Sequence, residues 1–199
     1  GSLGDTLSAL QAYVKSPLVL REMPIVENGA VTGYVDLMSE RAYRYKKGQA
    51  SELIQIPASI QAEEQEARGK LIEALADHDD ALLEKVLEDI KPTPEELYRD
   101  MHKDLIAGSV IEVMLGAGEN AAGVRRLWKA LRHDAPDVSE TLERKLVDGD
   151  GAPLAQVFKT AYAGHTGKLS YVRVWRGAIK DGATLGGTGT VGGATTLLS

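Results

Sequence analysis

The sequence predicts a mixed α/β chain with an α+β region ahead of its central strand–loop–helix unit, closing in an unfinished region of β-strands. Three observations predict it. Residues 109–136 read as a strand, a glycine loop and a helix in succession; residues 17–57 alternate apolar and polar side chains around tight turns; residues 60–108 change abruptly to helical spacing. The first of these is the unit on which α/β domains bind nucleotides, because amides at a helix N-terminus point out of the preceding loop.

Composition bounds the reading. At 199 residues, 43% apolar and 26% charged, the chain suits one or two soluble domains with a real core. It has no cysteine, which excludes disulfides, thiolate metal sites and thiol nucleophiles. No apolar run has the length of a membrane helix and nothing resembles a signal peptide, so the expectation is a cytoplasmic protein without a membrane partner. A net charge of −6 argues against a protein whose main task is wrapping nucleic acid. Gly1 and Ser2 read as a tag remnant and carry no weight.

Taken in order, Asp5 is expected to cap a short helix with Leu7, Leu10 and Val14 on one face, stopped at Ser16 and Pro17. Residues 18–26 read as one strand, Asn28 and Gly29 as a two-residue hairpin turn, and residues 31–37 as the returning strand with Gly33 at a bulge. Residues 42–46 and 52–56 alternate as further strands, giving a small, mostly antiparallel sheet. From residue 60 to 90 the chain is helical, with ten acids against three bases. Ala67, Leu71, Leu75, Leu82 and Val86 keep helical spacing, and an aspartate within residues 77–80 caps a second helix. Thr93, Pro94 and Glu96 form a capping box; Leu97, Met101 and Leu105 are the buried face of that helix, and Gly108 ends it.

The central stretch follows. Val110, Ile111, Val113, Met114 and Leu115, interrupted only by Glu112, read as a buried strand. After Gly116, Gly118 and Gly123, the residues Val124, Leu127, Trp128 and Leu131 form one apolar helical stripe, closed by Pro136. Residues 137–152 read as a connector with a short helix inside. Residues 154–160 and 168–175 then alternate as strands, with a turn at Asp181 and Gly182. Residues 150–185 hold five bases and two acids, and the tail from 186 to 199 is rich in Gly and Thr.

Several motifs bear on chemistry. Gly116, Gly118 and Ala121 match the dinucleotide fingerprint between a strand and a helix, but no second strand ending in an acid is evident about twenty residues on. The competing reading is a plain tight turn. Gly164, Gly167 and Lys168 resemble the end of a phosphate loop, yet Tyr162 and Leu169 replace its first glycine and its hydroxyl, so this is a hairpin loop. Asp77, His78, Asp79 and Asp80 are adjacent on a helix and point in different directions, which fits capping better than metal binding. The histidines at 78, 102, 133 and 165 show no ligand spacing, and His133 suits the negative end of a helix. No catalytic or metal-binding set emerges.

The ordered elements resemble a known family, the elongation factor G-like translational GTPases. Residues 21–57, with GYVDLMSERAYRY, look like that family's insert; EARGKLIEALADHDDALLEKVLED is similar to its acidic helix pair. VMLGAGENAAGVRRLWKAL stands where the family has its last guanine-binding loop, Gly-Ser-Ala, and the closing helix of its GTPase domain. PLAQVFKTAYAGHTGKLSYVRVWRGAIKDG looks like the start of its second domain, a β-barrel. The resemblance implies the remnant of a P-loop GTPase domain with an acidic helical insert, followed by an incomplete barrel. Its expected parts are a helix of the GTPase domain (1–16), the insert (17–108), the last strand, guanine loop and helix (109–136), a linker (137–152) and partial domain II (153–199).

That resemblance implies a parent that binds GTP or GDP with Mg²⁺ and acts on the ribosome. It implies a ribosomal stalk protein facing the acidic helices of 60–90, and ribosomal RNA facing domain II. Gly116, Ala117 and Gly118 are the implied guanine-binding residues, with Ala117 where the family has serine. The phosphate loop, the switch glycine motif and Asn-Lys-x-Asp do not occur in these residues. The implied fragment therefore has no GTPase activity and binds no nucleotide tightly. The alternatives are a free-standing α/β domain holding a dinucleotide at the Gly116 loop, and an interaction domain without a ligand.

Overall fold

The computed structural model describes residues 2–144, 151–186 and 192–193. The chain divides into two units, Gly1–Pro136 and Asp137–Ser199. In the first, α1 (Leu3–Gln11) leads into β1 (Leu18–Leu20), β2 (Glu22–Glu27), β3 (Ala30–Asp36), β4 (Arg41–Arg44) and β5 (Glu52–Ile54). Helices α2 (Gln61–Ala76), α3 (Asp80–Leu87) and α4 (Pro94–Ala107) follow, then β6 (Ile111–Val113) and α5 (Val124–Asp134). The second unit holds α6 (Val138–Arg144), β7 (Leu154–Ala163), β8 (Gly167–Arg176), β9 (Thr184–Leu185) and β10 (Gly192–Gly193).

The stretch expected as one strand over 18–26 is two. β1 pairs in parallel with β6, whereas β2 opens an antiparallel sheet in the order β2-β3-β4-β5. The break falls at Arg21, whose amide donates to the Val113 carbonyl while its own carbonyl accepts from Leu37, both at 3.0 Å. One residue thus serves two sheets, a division that apolar alternation does not reveal. Asn28 and Gly29 both have positive φ, 51° and 77°, as a tight hairpin turn requires. The bulge lies next to its expected position: the register passes from Ile25–Gly33 to Val26–Val31, so Thr32 is the extra residue. Gly33 lies so close to the Tyr43 carbonyl that a Cβ there would collide with it.

Helices α2, α3 and α4 cover one face of this sheet. Leu71, Leu75, Leu82, Leu97 and Met101 pack with Met23, Val35, Leu37 and Met38 in one buried cluster, each large side chain stabilising the fold by about 1.5–3 kcal/mol. The ends follow the sequence closely. Asp79 caps α3 by accepting from the amides of Ala81 and Leu82, Thr93 and Glu96 form a reciprocal capping box on α4, and Gly108 closes that helix in a left-handed conformation. At α1 the roles shift: Ser2 is the cap and Asp5 its return partner. In α2, Glu64 and Arg68 are buried, so the acidic surface is not made by every carboxylate. Arg68 donates to the carbonyls of Leu37 and Met38, tying α2 to the end of β3.

Residues 110–131 depart most from expectation. The strand is three residues long and only Val110 beside it is fully buried. The stripe on α5 is exposed, with Leu127 at 48%, Trp128 at 69% and Leu131 at 52%. Two short strands, β1 and β6, are too narrow to cover a helix face of that width.

In the second unit, β7 and β8 form an antiparallel ribbon joined by a short turn through Gly164–Thr166. The sequence that resembles a phosphate loop is therefore a hairpin connection. Val157, Phe158, Tyr162 and Tyr171 are exposed on it. β9 pairs with β10, and most of the 186–199 tail lies outside the described residues.

Candidate functional site

The loop between β6 and α5 is built to be tight. Gly116 comes close to the Ala122 carbonyl, and a Cβ on Gly123 would strike the Leu115 carbonyl. Ala117 and Ala122 exchange both backbone hydrogen bonds, at 3.0 and 3.1 Å. Asn120 and Ala121 donate back to Ala117 and Gly118, closing a single 3₁₀ turn. Those amides are consumed within the loop. The amides of Gly118 and Glu119, at the loop tip, have no hydrogen-bond partner among the described residues.

The surroundings are mostly apolar. Gly116, Ala117 and Gly118 line an apolar groove of about 720 Å³ together with Leu127 and Leu131. Among the described residues its charged lining groups are Glu112 and Asp134, both carboxylates, so the groove offers a pyrophosphate no cation. The dinucleotide reading also needs a second strand beyond α5, and the element found there is the helix α6. Both observations count against that alternative.

Beneath the loop lies a charged network that sequence reasoning missed. Arg21, 2% exposed, pairs with Glu112 in β6 and, at 2.6 Å, with Asp134 at the end of α5. Arg126 in the first turns of α5 pairs with Glu22 at 3.1 Å and with Asp36. Glu22 in turn accepts the Leu115 amide at 3.0 Å, the last backbone donor before Gly116. Two guanidiniums and four carboxylates thus bind both ends of α5, the strand and the loop entrance to the antiparallel sheet. Tyr98 places its ring 5.2 Å from the Arg21 guanidinium.

Burial raises the pKa of Glu22, opposed by the Leu115 amide and Arg126, and burial likewise raises Glu112 against the pull of Arg21. Burial pulls Arg21 down, but Glu112 and Asp134 more than offset it. Neutralising one partner would strand its opposite charge in the interior. The signal was present in the sequence as Glu112 inside an apolar run and as Arg21 and Glu22 together within a strand pattern.

The remaining candidates cap helices, pair locally or lie at the surface. Asp79 caps α3 and pairs with Lys103 at 3.1 Å. His78 is exposed, and His102 Nδ1 lies 3.2 Å from the Asp134 carbonyl. His133 stands in the last turn of α5, where a cation suits the helix end. Lys168 is an exposed residue of β8. Of the ten acids in 60–90, Glu63, Glu66, Glu73, Asp77, Asp80, Glu84, Glu88 and Asp89 are exposed, forming an acidic surface on α2 and α3.

No family model matches the chain. It is 40% identical over 186 residues to an elongation factor G-like protein of Synechocystis sp., covering 92% of this chain and 28% of that relative. It is 30% identical over 193 residues to elongation factor G 2 of Syntrophomonas wolfei, covering 90% of this chain and 28% of the other. In structure it is similar to a crystal structure from Thermus thermophilus, with a TM-score of 0.74 and 30% identity, over 97% of this chain and 28% of that one. The chain spans little more than a quarter of the length of the curated relatives it matches.

Proposed function

We propose that this chain, a relative of the elongation factor G-like proteins along nine-tenths of its length, is a segment of a translational GTPase acting on the ribosome. On this reading residues 17–108 are the insert subdomain, residues 109–136 the last strand, guanine loop and closing helix of the nucleotide domain, and residues 153–199 the beginning of a β-barrel. The observation that carries it is the loop of Gly116, Ala117 and Gly118: a strand–loop–helix unit with the Gly118 amide unused, set in a groove whose described lining holds no cation. Such a loop suits the guanine edge, while phosphoryl transfer is positioning and electrostatics by phosphate loops and Mg²⁺, whose motifs do not occur in these residues. The exposed stripe of Val124, Leu127 and Leu131 would pack against the rest of that nucleotide domain. GTP and GDP with Mg²⁺ belong to the whole protein.

The acidic surface of α2 and α3 serves as the docking face for the C-terminal domain of the ribosomal stalk protein, and the β7–β8 region faces ribosomal RNA. Two experiments test this. Calorimetry with GTP, GDP and NAD gives no tight binding and no hydrolysis; tight NAD binding would overturn the reading in favour of a dinucleotide domain. Titrating this chain into a labelled stalk domain at low salt shifts its resonances, and the shifts diminish as salt rises. Replacing the exposed Glu66, Glu73 and Glu84 with lysine removes them. Unmoved resonances would leave the acidic face as a solvated surface only.

A further inference from the structure

A second cavity of the first unit, about 1010 Å³, is bounded by β3, β4, the segment after β4, α4 and α5. Eight lysines and arginines line it against three carboxylates, in a chain of net charge −6. Folding accounts for part of this. Arg21 and Arg126 are taken up by the buried network, Lys46 meets Glu52 at 3.2 Å and Arg99 meets Asp100 at 3.1 Å. Arg41, Lys47, Arg125 and Lys129 are exposed and have no ion-pair partner among the described residues. Asp36 and Asp134 are engaged by the buried arginines, which leaves Glu95 as the remaining lining carboxylate. Four unpaired cations around one concave surface repel one another, and a polyanion would relieve that repulsion.

The same wall carries aromatic rings. Tyr34 stacks on Tyr43 with centroids 5.2 Å apart, and Tyr45 lies 5.6 Å from Tyr34. Tyr43 and Tyr45 are half-buried at the cavity. The Tyr45 hydroxyl is buried without a hydrogen-bond partner among the described residues, and burial pushes its pKa up to about 12, so it remains a neutral donor. Cations alone would suit any acidic chain. Cations beside tyrosines suit a ligand that alternates negative charge with flat rings, as single-stranded nucleic acid does.

We propose that this cleft binds a short single-stranded RNA segment, with phosphates held by Arg41, Lys47, Arg125 and Lys129 and bases against Tyr43 and Tyr45. None of residues 60–90 lines the cleft, and it meets the Gly116 groove at Ala122, Gly123 and Asp134; the proposal does not rest on the translation-factor reading.

The test is fluorescence anisotropy of a labelled octauridylate with the full 199-residue chain across salt concentrations. Four phosphate contacts at about 0.7 each give a log–log salt slope of about −3. Replacing Lys47→Glu and Lys129→Glu together weakens binding at low salt by about tenfold or more and lowers the slope to about −1.5. Both residues are exposed and unpaired, so circular dichroism remains unchanged. Tyr43→Leu weakens binding and Tyr43→Phe restores it. A salt slope unaltered by the double reversal, equal competition by polyglutamate, UTP binding as tightly as the octamer, or no binding would each overturn the proposal. Docking of the stalk domain on α2 and α3 is measured separately in the same double variant, so the failure of one reading leaves the other to be judged alone.

Discussion

Leu97 in α4 and Phe158 in β7 occupy equivalent places in their local patterns, large apolar residues on an amphipathic element, yet one is fully buried and the other is 68% exposed. The difference is in what lies opposite. Leu97 lies in one buried cluster with side chains of the four-stranded sheet and of α2 and α3. Phe158 sits on a two-stranded ribbon, which has no second layer to offer. Amphipathic patterning marks which face seeks cover. Cover itself comes from another element.

The largest expected effect tests the buried charged network of the first unit. Arg126→Ala leaves Glu22 and Asp36 buried without their guanidinium, and urea denaturation should show a loss of about 3–5 kcal/mol. A loss below about 1 kcal/mol would mean that water reaches those carboxylates. Next, Leu97→Ala should cost about 3 kcal/mol, whereas Phe158→Ala and Leu131→Gln should each change stability by less than about 0.5 kcal/mol. Equal costs at Leu97 and Phe158 would erase the contrast.

A smaller effect concerns pH. Glu64 is buried with one carboxylate oxygen unpartnered, and burial raises its pKa. A raised folded-state pKa means that its contribution is fully present below the ordinary carboxylate range and is lost as pH rises through the folded value. Glu64→Gln should therefore be the more stable protein at pH 7, by less than about 1 kcal/mol, and the advantage should vanish near pH 4. Denaturation at the two pH values checks this; an advantage that grows toward acid would contradict it.

Much of the fold over residues 17–108 was legible because its signals are local. The Asn28–Gly29 turn, the Asp79 cap, the Thr93–Glu96 box and the Gly108 terminator each depend on a few neighbouring residues. The buried charges were not, because Arg21 meets Asp134 across 113 positions and Arg126 meets Glu22 across 104. Charged residues in an apolar pattern announce an exception without naming the partner. The exposure of Leu127 and Leu131 was equally hidden, since periodicity is the same for a helix face that is covered and one that is not. The basic cleft gathers Arg41, Lys47, Arg125 and Lys129 from distant segments, while the overall charge of the chain points the other way.

Hydrogen exchange tests the central claim most directly, namely that the antiparallel sheet with α2 and α4 is a self-sufficient core while the faces of 124–134 and 154–176 depend on surfaces outside themselves. Amides of residues 34–37, 68–76 and 97–105 should exchange slowest, those of 124–134 faster, and those of 154–176 fastest. Protection of the ribbon equal to that of α4 would contradict the account, because it would show that β7 and β8 are covered by something that the described residues do not contain.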